Sequence, residues 1–269
     1  MQVASFYFDA FLIAFKSILE HKLRAFLTLI GIIIGVAAVV VVGASISGLK
    51  TYVVGQVSKV LGANHFMITR LASTGRMSDE EFERKNRLNK DVVWDEYEFL
   101  RENCMKCSHV GAQVNANCDI TDNGIELPAT RIFGVTENMN EIEDKTISAG
   151  RFLMAGEVDR AARSVVIGSD VADKFFANTD PIGKVLKIRG VPMQVVGVER
   201  SRGSFFGQSQ DRHVYIPITL HMQMFPRTGG IQVHGKADSK EDLAMAIDES
   251  RLLLKNRRQL PGNQEETFS

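Results

Sequence analysis

Three cysteines and a histidine lie near one another in the middle of the chain: Cys104, Cys107, Cys118 and His109. Thiolate and imidazole groups bind zinc, but a structural zinc site usually has two well-spaced ligand pairs, and one CxxC pair is present here. In an oxidising compartment a disulfide within the three cysteines is favoured, and unpaired or buried thiols are the other alternative. A thioredoxin-like redox pair is not expected, because a helical pattern precedes the CxxC and a strand pattern follows it.

Known catalytic and nucleotide-binding motifs are missing from the sequence, which has no Walker A motif and no GxGxxG, HExxH or GxSxG. Six histidines are scattered without a carboxylate and a nucleophile at a recognisable spacing. They are His21, His65, His109, His213, His221 and His234. We therefore expect no enzyme activity, no cofactor and no bound metal, and ATP hydrolysis by this chain is excluded.

The charges are balanced, with 32 Lys and Arg against 32 Asp and Glu among 269 residues. A nucleic-acid-binding protein usually carries a basic excess, so no nucleic-acid partner is expected.

One apolar segment dominates the N-terminal part of the chain. No charged residue occurs from Ala25 to Leu49. A helix of about 20 residues spans the roughly 30 Å of a bilayer core, so the segment predicts a transmembrane helix at 25–48. A buried core element and a cleaved signal peptide are alternatives, but the run is long for either. Lys22 and Arg24 at its start favour a cytoplasmic N-terminus.

Helical patterns flank this span on both sides. Before it, in residues 1–24, phenylalanines and leucines at helical spacing predict an amphipathic helix lying among lipid headgroups. After it, the pattern continues to Leu61, which predicts a helical extension of the span. Small residues at four-residue spacing predict contacts with another membrane helix. They are Gly31, Gly35, Gly43 and Ser47.

The remaining residues alternate short strand and helix patterns, which predicts an α+β domain. Asn123-Gly124 predicts a hairpin, and Ser239 predicts the cap of a helix at 240–258. Residues 72–90 are highly charged and are expected to form a mobile loop, and the last nine residues are expected to be unstructured. Phe205 and Phe206 lie in a Gly- and Ser-rich loop, where they could contact a partner or pack on the domain.

Several short motifs occur in an order that resembles one family. They are LGAN at 61–64, AGRF at 149–152, SVVIGSDVADKFF at 164–176, DPIGK at 180–184 and VVGV at 195–198. With the preceding membrane helix, this order is similar to that of MacB-type ABC transporter permeases over nearly the whole chain.

The resemblance implies a two-lobed periplasmic domain at 49–262 beyond the transmembrane helix, with a porter lobe and a sabre-like lobe. The first lobe would comprise about 60–132 and 231–258, and the second about 133–230. It also implies a dimeric permease in the inner membrane, with ATP bound by a separate ATPase subunit. A membrane-fusion protein or another periplasmic protein would be a further partner.

Two departures from the family pattern are visible. MacB carries an ATPase ahead of the first membrane helix, whereas this sequence starts at the amphipathic helix. Family members continue into three more membrane helices, whereas residues 263–269 form a tail before any second span, so we expect a fragment or a truncated product. The alternative function is a membrane-anchored periplasmic sensor or assembly adaptor without transport, and a weaker one is an exported redox or metal protein.

Overall fold

The computed structural model describes residues 16, 20–61, 64–72, 78–177, 179–205, 207–226, 229–261 and 265–269. The side chains of residues 51–61 and 205 also lie outside the description, as does most of the predicted N-terminal amphipathic helix. The chain divides into two compact units, Met1–Val57 and Ser58–Ser269, which are described separately.

The first unit contains most of one long helix, α1, Lys22–Leu61, which has 40 residues. The predicted continuation of the membrane helix to Leu61 is therefore confirmed. Lys22–Lys50 is long and apolar enough to cross a bilayer. Two polar side chains in it bond to the helix's own backbone, since the Thr28 hydroxyl donates to Arg24 O at 3.0 Å and the Ser45 hydroxyl to Val41 O at 2.7 Å.

The second unit alternates short helices and strands, as the sequence predicts. In chain order the elements are β1 His65–Ile68, α2 Asp79–Leu88, α3 Trp94–Asn103, β2 His109–Asp122, β3 Ile125–Val135, α4 Met139–Ile142, β4 Ile147–Gly150, α5 Ala155–Asp159, β5 Ser164–Ile167, α6 Ser169–Phe176, β6 Val185–Ile188, β7 Val191–Glu199, β8 Ser204–Phe205, β9 Gln208–Ser209, β10 His213–Pro217, α7 Ile218–Met224, β11 Gln232–Lys236 and α8 Lys240–Arg257.

Within the described residues, nine strands form one mixed sheet in the order β1-β11-β2-β3-β10-β5-β7-β4, with β6 paired to β7. The β2–β3 hairpin is its longest feature and turns at the predicted position. Asn123 and Gly124 have φ values of 49° and 78°, as a tight two-residue hairpin turn requires. Two pairs in the sheet are parallel, β3 with β10 and β5 with β7.

This one sheet runs through the residue ranges predicted for both lobes. The division into two lobes stays a prediction. Two large hydrophobic clusters lie on it. One packs around β5, β7 and β10, and the other around β11, α3 and α8. Ile120 and Leu127, at the far end of the β2–β3 hairpin, pack in the first of these clusters.

Part of the expected mobile loop at 72–90 is instead helical, so that expectation was wrong for the described residues 78–90. Helix α2 begins after Ser78, whose hydroxyl accepts a hydrogen bond from Glu81 N at 3.2 Å. Three acidic residues occupy its first turn, where they complement the helix dipole. None of its residues is buried, so capping and surface charge define this helix.

The C-terminal segment is also ordered where it is described, in contrast to the expectation for the last nine residues. Ser269 and Thr69 exchange two backbone hydrogen bonds of 2.8 and 2.9 Å, and Lys90 N donates to Thr267 O at 2.9 Å. Phe268 is only 6% exposed and packs in the cluster around α3 and α8.

We predict that Phe268→Ala lowers the free energy of unfolding by about 3 kcal/mol, because a large buried ring leaves a cavity. Leu252→Ala, at a site that is 60% exposed, is the control and should change it by less than about 0.5 kcal/mol. Urea unfolding of the full chain in detergent, followed by fluorescence of its single tryptophan, Trp94, measures both. Equal effects of the two substitutions would contradict the buried position of Phe268.

Candidate functional site

The small residues of α1 lie on two sides of the helix. A Cβ placed on Gly31, Gly35 or Gly43 would meet no atom within 4 Å, so each position leaves the helix surface open. Successive residues turn by about 100°, which places the Gly43 and Ser47 pair about 120° around the axis from the Gly31 and Gly35 pair. One straight neighbouring helix therefore cannot contact both pairs, and their role in packing stays a prediction.

Two of the three cysteines are joined. Cys104 and Cys107 form a disulfide with a Cα–Cα distance of 5.5 Å at the C-terminal end of α3. A disulfide stabilises a fold by restricting the unfolded chain, and the effect is small for a short loop. For this loop it is about 2 kcal/mol at most. Cys118 is free and half-buried on β2, and burial raises the pKa of its thiol. These three residues therefore do not form a common site.

The loop that contains Phe205 and Phe206 is held at its base by one carboxylate. Asp211 accepts hydrogen bonds from Ser201 Oγ at 2.5 Å, Arg202 N at 2.7 Å and Gly203 N at 2.9 Å. Burial opposes ionisation of Asp211, but these hydrogen bonds outweigh it and lower its pKa. The phenylalanine side chains lie outside the described residues, so their contact with a partner stays a prediction.

A buried ammonium group lies beside the sheet. Lys145, whose side chain is 1% exposed, forms an ion pair with Glu143 and donates to the Tyr215 hydroxyl at 2.9 Å. Burial lowers the pKa of Lys145, and the charge of Glu143 opposes that effect. The ion pair is closed to solvent, so a dissolved substrate cannot reach the Lys145 amine.

A second buried carboxylate lies at the end of β7. Glu199 accepts from His213 Nε2 at 2.6 Å, from Arg202 Nε at 2.8 Å and from Arg202 Nη2 at 2.5 Å. Burial alone would raise the pKa of Glu199, but the bond and charge of His213 and the charges of Lys145 and Arg202 lower it to about 2.

Two histidines extend this set of polar groups toward the edge of the sheet. His234 Nδ1 lies 2.9 Å from His65 Nε2 and 3.6 Å from Glu143 Oε1. Burial lowers the pKa of His234 to about 3, against the opposing charge of Glu143. We call the set His65, Glu143, Lys145, Glu199, Arg202, His213, Tyr215 and His234 the buried polar network.

Sequence analysis did not identify the buried polar network. Its members come from β1, the segment before β4, the end of β7 and the loop after it, β10 and β11, and His65 and His234 are 169 positions apart. The one indication of it in the local sequence was a polar residue in an otherwise apolar strand, such as His213 in the HVYIP of β10.

The network pairs charged and polar groups in the interior of the domain. Among the described residues, no three His, Cys, Asp or Glu side chains are arranged to hold a metal ion. A cofactor-free chain stays a prediction. The network fixes opposite charges in pairs inside an apolar surrounding, where an unpaired charge would destabilise the fold.

The sequence comparisons with known proteins indicate one family. The family model of the MacB-like periplasmic core domain matches residues 25–252. The macrolide export ATP-binding/permease protein MacB of Neisseria meningitidis is 29% identical over 247 residues, which cover 89% of this chain and 37% of the relative. The MacB protein of Bordetella avium is 31% identical over 219 residues, which cover 78% of this chain and 31% of the relative. The chain thus spans about a third of the relatives' length.

Two solved structures share the fold. The periplasmic region of MacB from Actinobacillus actinomycetemcomitans has a TM-score of 0.63 at 17% identity, covering 79% of this chain and 90% of that one. The extracellular domain of the noncanonic ABC-type transporter YknZ from Gram-positive bacteria has a TM-score of 0.58 at 17% identity, covering 76% of this chain and 98% of that one. At this identity the likeness concerns the fold alone.

We predict that Lys145→Met lowers the free energy of unfolding by about 3–5 kcal/mol, because it leaves Glu143 as an uncompensated buried charge. The double variant with Glu143→Gln should recover part of the loss. Lys85→Met, which removes an exposed partner of Glu81 on α2, should cost less than about 0.5 kcal/mol. Urea unfolding at pH 7 measures all three, and equal effects of the two lysine substitutions would refute the buried pairing.

A second prediction concerns pH. Burial lowers the pKa of His221 to about 4, below its ordinary 6.5. Between these two pH values His221 is protonated in the unfolded chain and neutral in the folded one. His221 therefore removes about 1.4 kcal/mol of stability per pH unit as the pH falls from 6.5 toward 4. His221→Gln should reduce the slope of unfolding free energy against pH by that amount.

Phe225→Leu is the control for this measurement. The Phe225 ring stacks on His221 with centroids 4.7 Å apart, so the substitution loosens the same packing without removing a titrating group. It should lower stability at every pH and keep the slope of the unmodified chain. A His221→Gln variant with an unchanged slope would show that His221 does not contribute to acid sensitivity.

Proposed function

The chain belongs to the family of the MacB-like periplasmic core domain, and we propose that it is the membrane-anchored, non-catalytic part of an ABC transporter permease. In this proposal a separate ATPase subunit binds and hydrolyses ATP, and the permease converts that cycle into motion outside the membrane that drives export. The matching relatives are named as macrolide export proteins.

The observation that carries the proposal is the length of α1. One helix contains the candidate membrane span Lys22–Lys50 and continues without interruption to Leu61. The backbone hydrogen bonds of a helix resist bending, so a displacement at one end is passed to the other. A flexible linker after the span would absorb the same displacement.

Orientation and assembly follow from the same proposal. Lys22 and Arg24 at the start of the span favour a cytoplasmic N-terminus in the inner membrane, with Ser58–Ser269 outside it. The Gly31 and Gly35 pair and the Gly43 and Ser47 pair would contact other membrane helices, including those of a second copy or a related permease. A membrane-fusion protein or another periplasmic protein would bind the outer domain, with the loop of Phe205 and Phe206 as the proposed contact.

The test breaks the helix beyond the span. Val57→Pro removes a backbone donor and costs a helix interior about 3 kcal/mol, whereas Val57→Ala preserves the helix and is the matched control. Each variant also carries Met154→Cys, at a site that is 55% exposed, for a spin label. The full chain is purified from its native membranes with its associated proteins and placed in liposomes.

We expect an ABC-type ATPase to co-purify with both variants. Addition of ATP should change the distance between labels on two copies of the Val57→Ala variant, and Val57→Pro should reduce that change several-fold. Absence of any ABC-type ATPase would overturn the proposal and favour a sensor or assembly adaptor. A nucleotide response of equal size in both variants would overturn the mechanical role of α1.

A further inference from the structure

We propose that Cys104 and Cys107 form a reversible thiol–disulfide exchange site that a protein dithiol opens by attack on Cys107 Sγ. The two sulfurs differ in access. Both contact the cluster around α3 and α8, but Cys104 is buried at 8% exposure whereas Cys107 is only partly buried. Met105 between them is 89% exposed, so a partner protein can approach the loop from outside.

The loop does not depend on the disulfide for its position. The Cys104 amide donates to Leu100 O at 2.9 Å, which continues α3 by one bond. The Lys106 amide donates to Glu249 Oε2 at 2.7 Å, and the Ser108 amide donates to Lys236 O at 2.8 Å. With these anchors in place, opening the disulfide leaves both cysteines near their present positions.

The surroundings offer one hydrogen-bond acceptor, the Glu249 carboxylate, that only the reduced form can use. Cys104 Sγ lies 3.5 Å from Glu249 Oε2 and 3.5 Å from Ser250 Oγ, and Cys107 Sγ lies 3.5 Å from Ser250 Oγ. The sulfurs of a disulfide have no hydrogen to donate, whereas a thiol donates weakly and does so best to a charged acceptor. The Glu249 carboxylate therefore favours the dithiol over the disulfide.

The exchange balances without any further reactant. A thiolate of the partner dithiol attacks Cys107 Sγ, the Cys107–Cys104 bond breaks, and Cys104 leaves as a thiolate that takes a proton from water. The second thiolate of the partner attacks the partner's own sulfur in the mixed disulfide and releases Cys107 as a thiolate, which is also protonated. Two electrons pass from the partner to this chain, and the partner becomes the disulfide.

Cys118 serves as an internal reference for this chemistry. It is a half-buried thiol that packs against the cluster around β5, β7 and β10. Cys118→Ser should therefore leave the exchange of the other two cysteines unchanged.

The first experiment measures the equilibrium. The full chain in detergent is brought to equilibrium with reduced and oxidised glutathione at a series of ratios, free thiols are alkylated, and the product is weighed by mass spectrometry. We expect the disulfide to open within the range of ratios that glutathione covers while the chain stays folded.

Glu249→Gln should shift the equilibrium toward the disulfide by about tenfold, because it replaces a charged acceptor by a neutral one. Gln194→Glu, which adds a carboxylate at an exposed position on β7, outside the cluster that contains Cys104, should not shift it.

The second experiment tests which sulfur reacts. Cys104→Ser and Cys107→Ser, each with Cys118→Ser, are mixed with thioredoxin that carries an activated disulfide on its attacking cysteine. The Cys104→Ser variant, which keeps the accessible Cys107, should form the mixed disulfide at least tenfold faster than its counterpart. Equal or reversed rates would overturn the assignment of Cys107. A wild-type disulfide that stays closed at every glutathione ratio would show that it is a permanent crosslink.

Discussion

The pairing of a buried ammonium group, Lys145, is the constraint on which the arrangement of residues 58–269 depends. Removing an ammonium group from water costs several kcal/mol unless a counter-charge and hydrogen bonds replace the lost solvent. Glu143 and the Tyr215 hydroxyl supply them. The hydrogen bond of His213 in β10 to Glu199 at the end of β7 joins two strands that both flank β5, so the strand order of the sheet brings these groups together. Hydrophobic burial drives these strands together, and the buried polar network selects one arrangement among the compact alternatives.

Features that depend on neighbouring residues were predictable from the sequence. The membrane span follows from an uncharged run, the β2–β3 turn from Asn123-Gly124, and α8 from the capping serine Ser239, whose hydroxyl accepts from Asp242 N at 3.1 Å. The order of the motifs also indicated the family, which the comparisons confirm. In each case the physical cause lies within a few residues of its effect.

Features that depend on distant contacts were not predictable in the same way. The parallel pairing of β3 with β10 and the contact of His65 with His234 join residues far apart in the chain. The C-terminal segment looked unstructured because Phe268 is its sole large apolar residue, and its burial depends on α3 and α8. Helix α2 was missed for another reason. Its polar sequence lacks an apolar stripe, and the capping serine and the acidic first turn that define it carry a weaker signal.

The charged character of α2 has a consequence for the surface of the domain. Its contacts to the rest of the fold include the exposed ion pair of Arg84 with Glu265 at 2.5 Å and the bond from Arg70 Nη2 to Asn86 O at 2.6 Å. Dissolved salt weakens the attraction between exposed charges as its concentration rises, while it leaves buried apolar contacts intact. Added salt should therefore weaken the contact of Arg84 with Glu265 before it affects the buried hydrophobic clusters. A change in the salt concentration of the surrounding compartment would act on this helix before it affects the core.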